Sequence, residues 1–205
     1  MKKWIGIALV LMLAVPAMAQ FAGLPIAGGA GLATPSSFNA SGGIVLSDDF
    51  NTYGVRGAFA VMENLTLFGD AGALDPDEGD MGWAIQGGGV FTLPLQDLPV
   101  DVGIRGALGY AGYDMDGGDA TMMDFMAGVL ASKSIDQFTP YAFLGFNYLK
   151  WEVDVDGPYG KVDDDETDLA IAGGCEFALT EQFSIYGELA HIDDLFFGLG
   201  GRMRF

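Results

Sequence analysis

The sequence has little of several residue types on which other protein classes depend. It contains one cysteine, Cys175, so no internal disulfide can form. Only nine of its 205 residues are lysine or arginine, against 28 acidic residues, and the formal net charge is −19. A chain this negative repels phosphate, which excludes nucleic acid as a partner. After the first 20 residues, no apolar run approaches the roughly 18 residues of a membrane-spanning helix.

The first residues have the pattern of an export signal. A basic start at Lys2 and Lys3 precedes an apolar stretch over residues 4–15, and a small-residue triplet ends at Ala19. This pattern predicts a secretory signal peptide over residues 1–19, because the apolar stretch is shorter than a bilayer span. We expect a Gly/Ala/Pro-rich segment over residues 20–36 and one domain over residues 37–205.

Alternating apolar and polar positions dominate the remaining chain, with many of the 32 glycines inside the alternating segments. Ten segments follow this period of two, which is typical of β-strands. They run approximately over residues 38–47, 51–61, 64–74, 82–93, 99–113, 120–133, 139–155, 166–179, 182–192 and 195–205. Compact connections alternate with acidic and mostly longer ones, as in bacterial outer-membrane barrels.

The two faces of these segments differ in polarity. We predict an outward face without charge and an inward face that carries nearly all the charged positions, Lys150 and Glu152 among them. A soluble sandwich would also alternate, but with its apolar face inward. The predicted charge network of the interior comprises Arg56, Asp70, Arg105, Asp124, Glu176, Glu188, Arg202 and Arg204.

Aromatic residues favour the membrane interpretation. From Tyr141 to Trp151 is about 33 Å along a strand, which a tilt near 40° reduces to about 25 Å, the height of an outer-membrane apolar band. Tryptophan and tyrosine prefer the membrane interface. The predicted interface aromatics are Tyr53, Trp83, Tyr110, Tyr141, Trp151 and Phe177.

With its signal peptide, alternating strands and terminal "GRMRF", the sequence resembles the small outer-membrane β-barrel proteins of Gram-negative bacteria, such as the OmpA membrane domain and the opacity-type proteins. The resemblance implies an all-β, transmembrane, antiparallel up-and-down barrel of ten strands, or eight if the first segments stay outside the wall. It also implies an outer-membrane location, contact with lipid and lipopolysaccharide, and assembly by periplasmic chaperones and the outer-membrane assembly machinery. Gly201, Met203 and Phe205 would form the assembly signal.

Two interpretations of the interior remain open. Ion pairs could fill a narrow lumen, where an unpaired charge would be costly, or a polar lining could conduct ions or small solutes. Barrels of about eight strands are nearly filled by their side chains, so a wide pore is not expected. We therefore predict a non-enzymatic structural or surface-interaction role through acidic loops, with a narrow channel as the alternative.

Two further candidate sites are weak. Asp163, Asp164, Asp165 and Glu166 could bind a divalent cation such as Ca²⁺, although the spacing does not match an EF-hand and solvated loops are the default. The only histidine, His191, precedes Asp193 and Asp194, and omptin proteases also use aspartates and a histidine at the rim of a ten-stranded barrel. No partner residues are recognisable on other strands, so a rim hydrolase is the third interpretation. No cofactor is expected.

Overall fold

A computed structural model gives the architecture of the chain. It describes residues 26, 28–47, 50–76, 80–95, 97–115, 118–155 and 160–205, so the predicted signal peptide lies outside the described residues. Ten strands follow one another: β1 (Phe38–Leu46), β2 (Phe50–Met62), β3 (Leu65–Pro76), β4 (Gly82–Thr92), β5 (Asp101–Met115), β6 (Gly118–Ser132), β7 (Phe138–Val155), β8 (Gly160–Ala178), β9 (Phe183–Ile192) and β10 (Asp194–Arg204).

The strands form one closed antiparallel barrel. Each strand pairs with its neighbour in the sequence, and β1 pairs with β10 from Asn39 opposite Arg204 to Leu46 opposite Phe197. This last pairing closes the wall and leaves the sheet without an edge. The predicted up-and-down barrel of ten strands is confirmed, and the eight-strand alternative is wrong. No helix among the described residues has the length and apolar character needed to cross a bilayer.

The barrel has two ends that differ in their connections. We call the end that carries residues 63–64, 93–100, 133–137 and 179–182 the base, and the opposite end the rim. The prediction of longer loops at the rim is wrong, because the connections there span no more than five residues. Instead β7 and β8 lengthen to 18 and 19 residues. Strand pairing between them takes up the acidic residues that a loop was expected to hold.

The outer face is apolar along most strands. Exposed side chains alternate with buried ones on β2, β4, β5 and β8, as predicted. Val55, Leu108 and Leu169 are each about 60% exposed. An outer surface of this kind suits contact with lipid rather than water.

Strand β7 has the opposite orientation to the predicted one. Tyr141 is 5% exposed and Trp151 packs against the buried cluster, so both face the interior. Lys150 and Glu152, which were predicted inside, lie on the outward row. The cause is the length of the strand, because its charges lie near the rim, where the outward row no longer has to be apolar. Charge near that end therefore does not identify the inner face.

Inside the barrel, two layers follow one another along the axis. The apolar layer lies toward the rim and contains Val45, Phe50, Leu74, Leu149, Ile192 and Phe196, all at most 4% exposed. Within this layer the rings of Phe50 and Phe196 lie 6.0 Å apart. The charged layer lies toward the base and contains Arg56, Asp70, Arg105, Asp124, Glu176, Glu188, Arg202 and Arg204. Ile26 and Ala30, from the segment before β1, are also buried.

One close approach in the wall generates a stability prediction. A Cβ at Gly128 would lie 2.5 Å from the Leu144 carbonyl oxygen and 2.6 Å from the ring of Phe143, so Gly128→Ala forces the backbone to shift. Overpacking of this kind costs about 1–3 kcal/mol. Gly106→Ala is the matched control, since its Cβ would meet nothing closer than 3.9 Å. Urea unfolding of the two variants, followed by tryptophan fluorescence, should show a lower free energy of unfolding for Gly128→Ala alone. Equal urea midpoints for the two variants would contradict this prediction.

Candidate functional site

The best-defined interaction of the charged layer is a buried ion pair between neighbouring strands. Arg56 on β2 lies directly opposite Asp70 on β3, and both side chains point inward. Arg56 Nε and Nη2 each donate to one carboxylate oxygen of Asp70 at 2.7 Å. Both side chains are at most 5% exposed. Such a two-bond geometry fits the planar guanidinium to the carboxylate and compensates two charges that are removed from water.

A second arginine belongs to the same layer through an aromatic ring. Phe68 lies between the two guanidinium groups, with its centroid 4.7 Å from Arg56 and 4.8 Å from Arg105. Arg105 Nη1 also lies 3.2 Å from the sulfur of Met126. Asp124 is 1% exposed and lies close enough to Arg105 to interact electrostatically. The ring face and the carboxylate together compensate the buried charge of Arg105.

Glu176 on β8 is the centre of the third group. Arg202 Nη1 donates to its Oε2 at 2.6 Å, and Arg204 donates to its Oε1. The hydroxyl of Ser184 also donates to Oε1 at 2.6 Å, while Arg202 Nε donates to Ser41 Oγ at 3.2 Å. One carboxylate therefore binds two arginines from β10. This group ties β8 to β10 across β9.

The structure thus places the eight residues of the predicted charge network in one layer, but in separate groups. Phe68, which separates Arg56 from Arg105, was missed because an inward aromatic next to glycines looks like ordinary core in the sequence. Glu188 accepts a hydrogen bond from the backbone of Ile26, a contact that no strand pattern predicts. A cavity of about 550 Å³ opens from this layer toward the base.

The four acids at the rim do not form a cation site. Asp163, Asp164, Asp165 and Glu166 occupy successive positions of β8, so their side chains alternate between the two faces of the wall. The expectation that Asp163–Asp165 belong to a loop is wrong, because β8 already begins at Gly160. In the part of the chain that the structure describes, no group of three or more His, Cys, Asp or Glu side chains could hold a metal ion.

His191 contacts the backbone of one of the two acids with which it was considered. It is exposed on the outward row of β9, and its Nδ1 lies 3.2 Å from the backbone oxygen of Asp194. Asp193 forms the turn between β9 and β10 with a positive φ of 64°. Glu166 and Asp168, whose charges interact with Asp193, are on the inner face of β8. The wall therefore separates the imidazole from the interior acids.

Comparison with known proteins gives the family of this fold. The profile of the outer membrane protein beta-barrel domain matches residues 5–198. The chain belongs to the outer-membrane β-barrel protein family. Its location is accordingly the outer membrane of Gram-negative bacteria, and its apolar outer face contacts the lipid of that membrane. No curated protein matches the sequence.

Solved structures of outer-membrane β-barrels share the fold at low sequence identity. The outer-membrane protease OmpT from Escherichia coli is 9% identical over 84% of this chain and 98% of its own, with a TM-score of 0.53. The N-terminal barrel domain of OprF from Pseudomonas aeruginosa is 10% identical over 83% and 98%, with a TM-score of 0.43. The attachment invasion locus protein Ail of Yersinia pestis is 16% identical over 84% and 100%, with a TM-score of 0.38.

On this outer-membrane β-barrel, four of the six predicted interface aromatics lie on the outer face. Tyr53, Trp83 and Tyr110 lie toward the rim, with the rings of the last two 5.7 Å apart. Phe177 lies toward the base, 4.8 Å from the ring of Phe138. Tyr141 and Trp151 do not belong to these belts, because they face the interior. The predicted residues that lie in the belts therefore come from β2, β4, β5 and β8, and β7 contributes Phe138 instead of Tyr141 and Trp151.

The three residues of the predicted assembly signal end the last strand of the outer-membrane β-barrel. Met203 and Phe205 are exposed on its outer face, 46% and 69% respectively, and Gly201 precedes them on the same row. The backbone N–H of Phe205 donates to the carbonyl oxygen of Phe38 at 2.9 Å. The rings of these two phenylalanines lie 5.9 Å apart. The last residue thus contacts the first residue of β1.

The ion pair between Arg56 and Asp70 should be essential for stability. Asp70→Ala leaves the Arg56 guanidinium buried without its carboxylate, and removing one partner of such a pair costs about 3–5 kcal/mol. The matched control is Glu152→Ala, which removes the carboxylate 2.5 Å from Lys161 in an exposed pair on the outer face. Urea unfolding in lipid vesicles should show a large loss for Asp70→Ala and little change for Glu152→Ala. Similar small losses in both variants would contradict the buried pair.

Proposed function

We propose that this outer-membrane β-barrel is a closed, non-enzymatic protein with a structural or surface-interaction role. The observation that carries the proposal is the apolar layer toward the rim. Phe196, Leu74 and Leu149 are each at most 1% exposed, and they come from strands on different sides of the barrel. These three side chains belong to one buried apolar cluster inside the barrel, and we expect that cluster to interrupt any hydrated path for ions or polar solutes.

The charged layer supports the same conclusion from the other end of the lumen. Its arginines bind carboxylates and aromatic rings of the wall, so their charges stabilise the barrel itself. A conducting lining would instead present its charges to water along a continuous path. The residues that line the base cavity do not include those of the apolar layer, which supports a pocket open only toward the base rather than half of a pore.

The rim provides the surface for an interaction outside the cell. Barrels of this class send their longer excursions outside the cell, and here the longest is the extended hairpin of β7 and β8 at the rim, so the rim would be extracellular and the base periplasmic. Beyond Leu169, the outward row of β8 continues with Thr167, Asp165 and Asp163. The hairpin of β7 and β8 would therefore extend past the lipid as an acidic ridge. Lys161 on this ridge binds Glu152 and Asp154, which fixes the two strands relative to each other.

The proposal excludes hydrolysis at the rim. Catalysis by a histidine requires a carboxylate or nucleophile within reach of its ring. His191 faces outward on β9, whereas the acids next to Asp193 face inward. OmpT shares the ten-stranded architecture only as a fold, at 9% identity.

Conductance measurements test the closed lumen. The purified, refolded protein in a planar lipid bilayer should give no unitary current steps at any voltage that the bilayer tolerates, because the apolar layer has no hydrated path. A porin inserted into the same membranes is the positive control. Reproducible single-channel steps would overturn the proposal and support the narrow channel instead.

The end of the chain supports a second part of the proposal, assembly through the outer-membrane machinery after delivery by periplasmic chaperones. Gly201, Met203 and Phe205 present one outward row at the edge that closes the barrel, where a recognition factor could bind before β1 pairs with β10. The outer face would contact lipopolysaccharide as well as phospholipid. The resemblance to small outer-membrane barrel proteins supports the chaperones, the assembly machinery and lipopolysaccharide as partners.

Deletion of Phe205 tests that assembly role. The deletion removes the aromatic end of the outward row and the hydrogen bond to Phe38, so the folded, membrane-inserted amount should fall severalfold while synthesis stays unchanged. Phe91→Ala, which removes another outward phenylalanine near the base, is the control. Heat-dependent gel mobility of outer-membrane fractions measures both. Equal insertion of the two variants would contradict a special role for the terminal residue.

A further inference from the structure

The segment before β1 enters the barrel from the base instead of lying outside it. Ile26 is 5% exposed and Ala30 is fully buried, and both belong to the same buried cluster as the side chains of the wall. Between this inserted part and β1, the chain passes over the turn after β2, where the N–H of Ala33 donates to the Glu63 carbonyl at 2.9 Å. The described residues here, 26 and 28–31, are called the inner segment. The sequence over residues 26–31 is "IAGGAG".

Two charged side chains hold the backbone of Ile26 from opposite sides. The N–H of Ile26 donates to Glu188 Oε1 at 3.0 Å, and Arg56 Nη1 donates to the Ile26 carbonyl oxygen at 3.1 Å. The same Arg56 is fixed by its two bonds to Asp70. The donor and the acceptor are therefore preorganised for the backbone of one residue. Hydrogen bonds to charged groups in a buried site are among the stronger ones that proteins make.

Further along, the inner segment fits only because its residues are small. The N–H of Ala30 donates to Ser132 Oγ at 2.8 Å, and Thr92 Oγ1 donates to the Gly31 carbonyl oxygen at 3.5 Å. A Cβ at Gly29 would lie 2.8 Å from the same Ser132 oxygen. At Gly28 the nearest atom to such a Cβ is 3.6 Å away. Side-chain size is therefore restricted at residue 29 and not at residue 28.

We propose that the base half of the lumen is a peptide-binding site, occupied in cis by the inner segment. The ligand is a peptide that has an aliphatic residue, as at Ile26, and a glycine three positions later, as at Gly29. Arg56 and Glu188 bind the backbone of the aliphatic residue, and Ser132 binds the backbone beyond the glycine. Docking covers the polar groups that the segment contacts and leaves the cavity beside it open toward the base. This site is independent of the closed rim, since the apolar layer does not contain these contacts.

A disulfide trap tests the position of the inner segment in the full-length protein. A Cβ at Gly103 would lie 3.2 Å from the Cβ of Ala30, close to the roughly 3.5–4.5 Å of disulfides. In a Cys175→Ala background, Ala30→Cys with Gly103→Cys should form an intramolecular disulfide on mild oxidation. Gly28→Cys with Gly103→Cys is the control pair and should form much less. Equal yields for the two pairs would overturn the docked position.

Thiol labelling then tests whether small size at residue 29 determines docking. Thr92→Cys, in the Cys175→Ala background, places a reporter thiol under the inner segment. Adding Gly29→Ala should raise its labelling rate by a maleimide about tenfold or more, because the clash increases the population of the released segment. Adding Gly28→Ala should leave the rate unchanged. Heat-dependent gel mobility confirms that each barrel is folded. Equal labelling rates in folded Gly28→Ala and Gly29→Ala proteins would overturn the size restriction.

A synthetic peptide tests the ligand class. Millimolar peptide of sequence IAGGAGLAT, added to the Gly29→Ala protein, should compete with its own weakened segment and slow labelling of the reporter thiol. The same peptide with leucine in place of its second glycine, the residue equivalent to Gly29, should not. Protection by the first peptide alone supports the site; absence of protection, or protection by both peptides, overturns it.

Discussion

Hydrogen bonding of the backbone is the constraint on which this structure depends. Inside a bilayer no water is present to satisfy an unpaired N–H or C=O group, so every strand must pair on both sides. The pairing of β1 with β10 meets this requirement by removing both edges at once. It brings Phe38 and Phe205 together and fixes which face of each strand contacts lipid. The apolar outer rows and the inward charges follow from that closure, because successive side chains point to opposite faces.

Closure creates a second problem, since a barrel of ten strands encloses a narrow space that must be filled. Toward the rim the chain fills it as a soluble protein fills its core, with large apolar side chains such as Phe196 and Leu149. Toward the base it uses charges, and each arginine has a compensating group: Asp70 for Arg56, Glu176 for Arg202. This division favours stability over transport, because the ion-paired charges and the cavity lie in the base half, below the apolar layer. The inner segment then uses those groups for its own backbone.

The ten strands, the lipid-facing rows and the last strand could be predicted from the sequence. Alternation with a period of two indicates strands, uncharged rows indicate the face toward lipid, and the aromatic terminus is typical of the last strand of a barrel. The orientation of β7 could not be predicted from the sequence. Near the base both of its rows are apolar, and its charges lie beyond the lipid, where either face of the strand contacts water. Tyr141 and Trp151 were misplaced for that reason. The run of acids from Asp163 to Glu166 predicted a loop, because consecutive charged residues rarely form a strand. Here they do so because β7 pairs with them. The inner segment has no period at all, and only its burial in the lumen reveals it.

The central claim is that the apolar outer rows contact lipid while an apolar layer of similar composition fills the rim half of the interior. Proton NMR in lipid nanodiscs measures this directly, through nuclear Overhauser contacts between acyl-chain protons and assigned methyl groups. The methyls of Leu108 and Leu169 should contact acyl chains, and those of Leu149 and Ile192 should contact only protein. Acyl-chain contacts at Leu149 or Ile192, or none at the two outer leucines, would contradict the account.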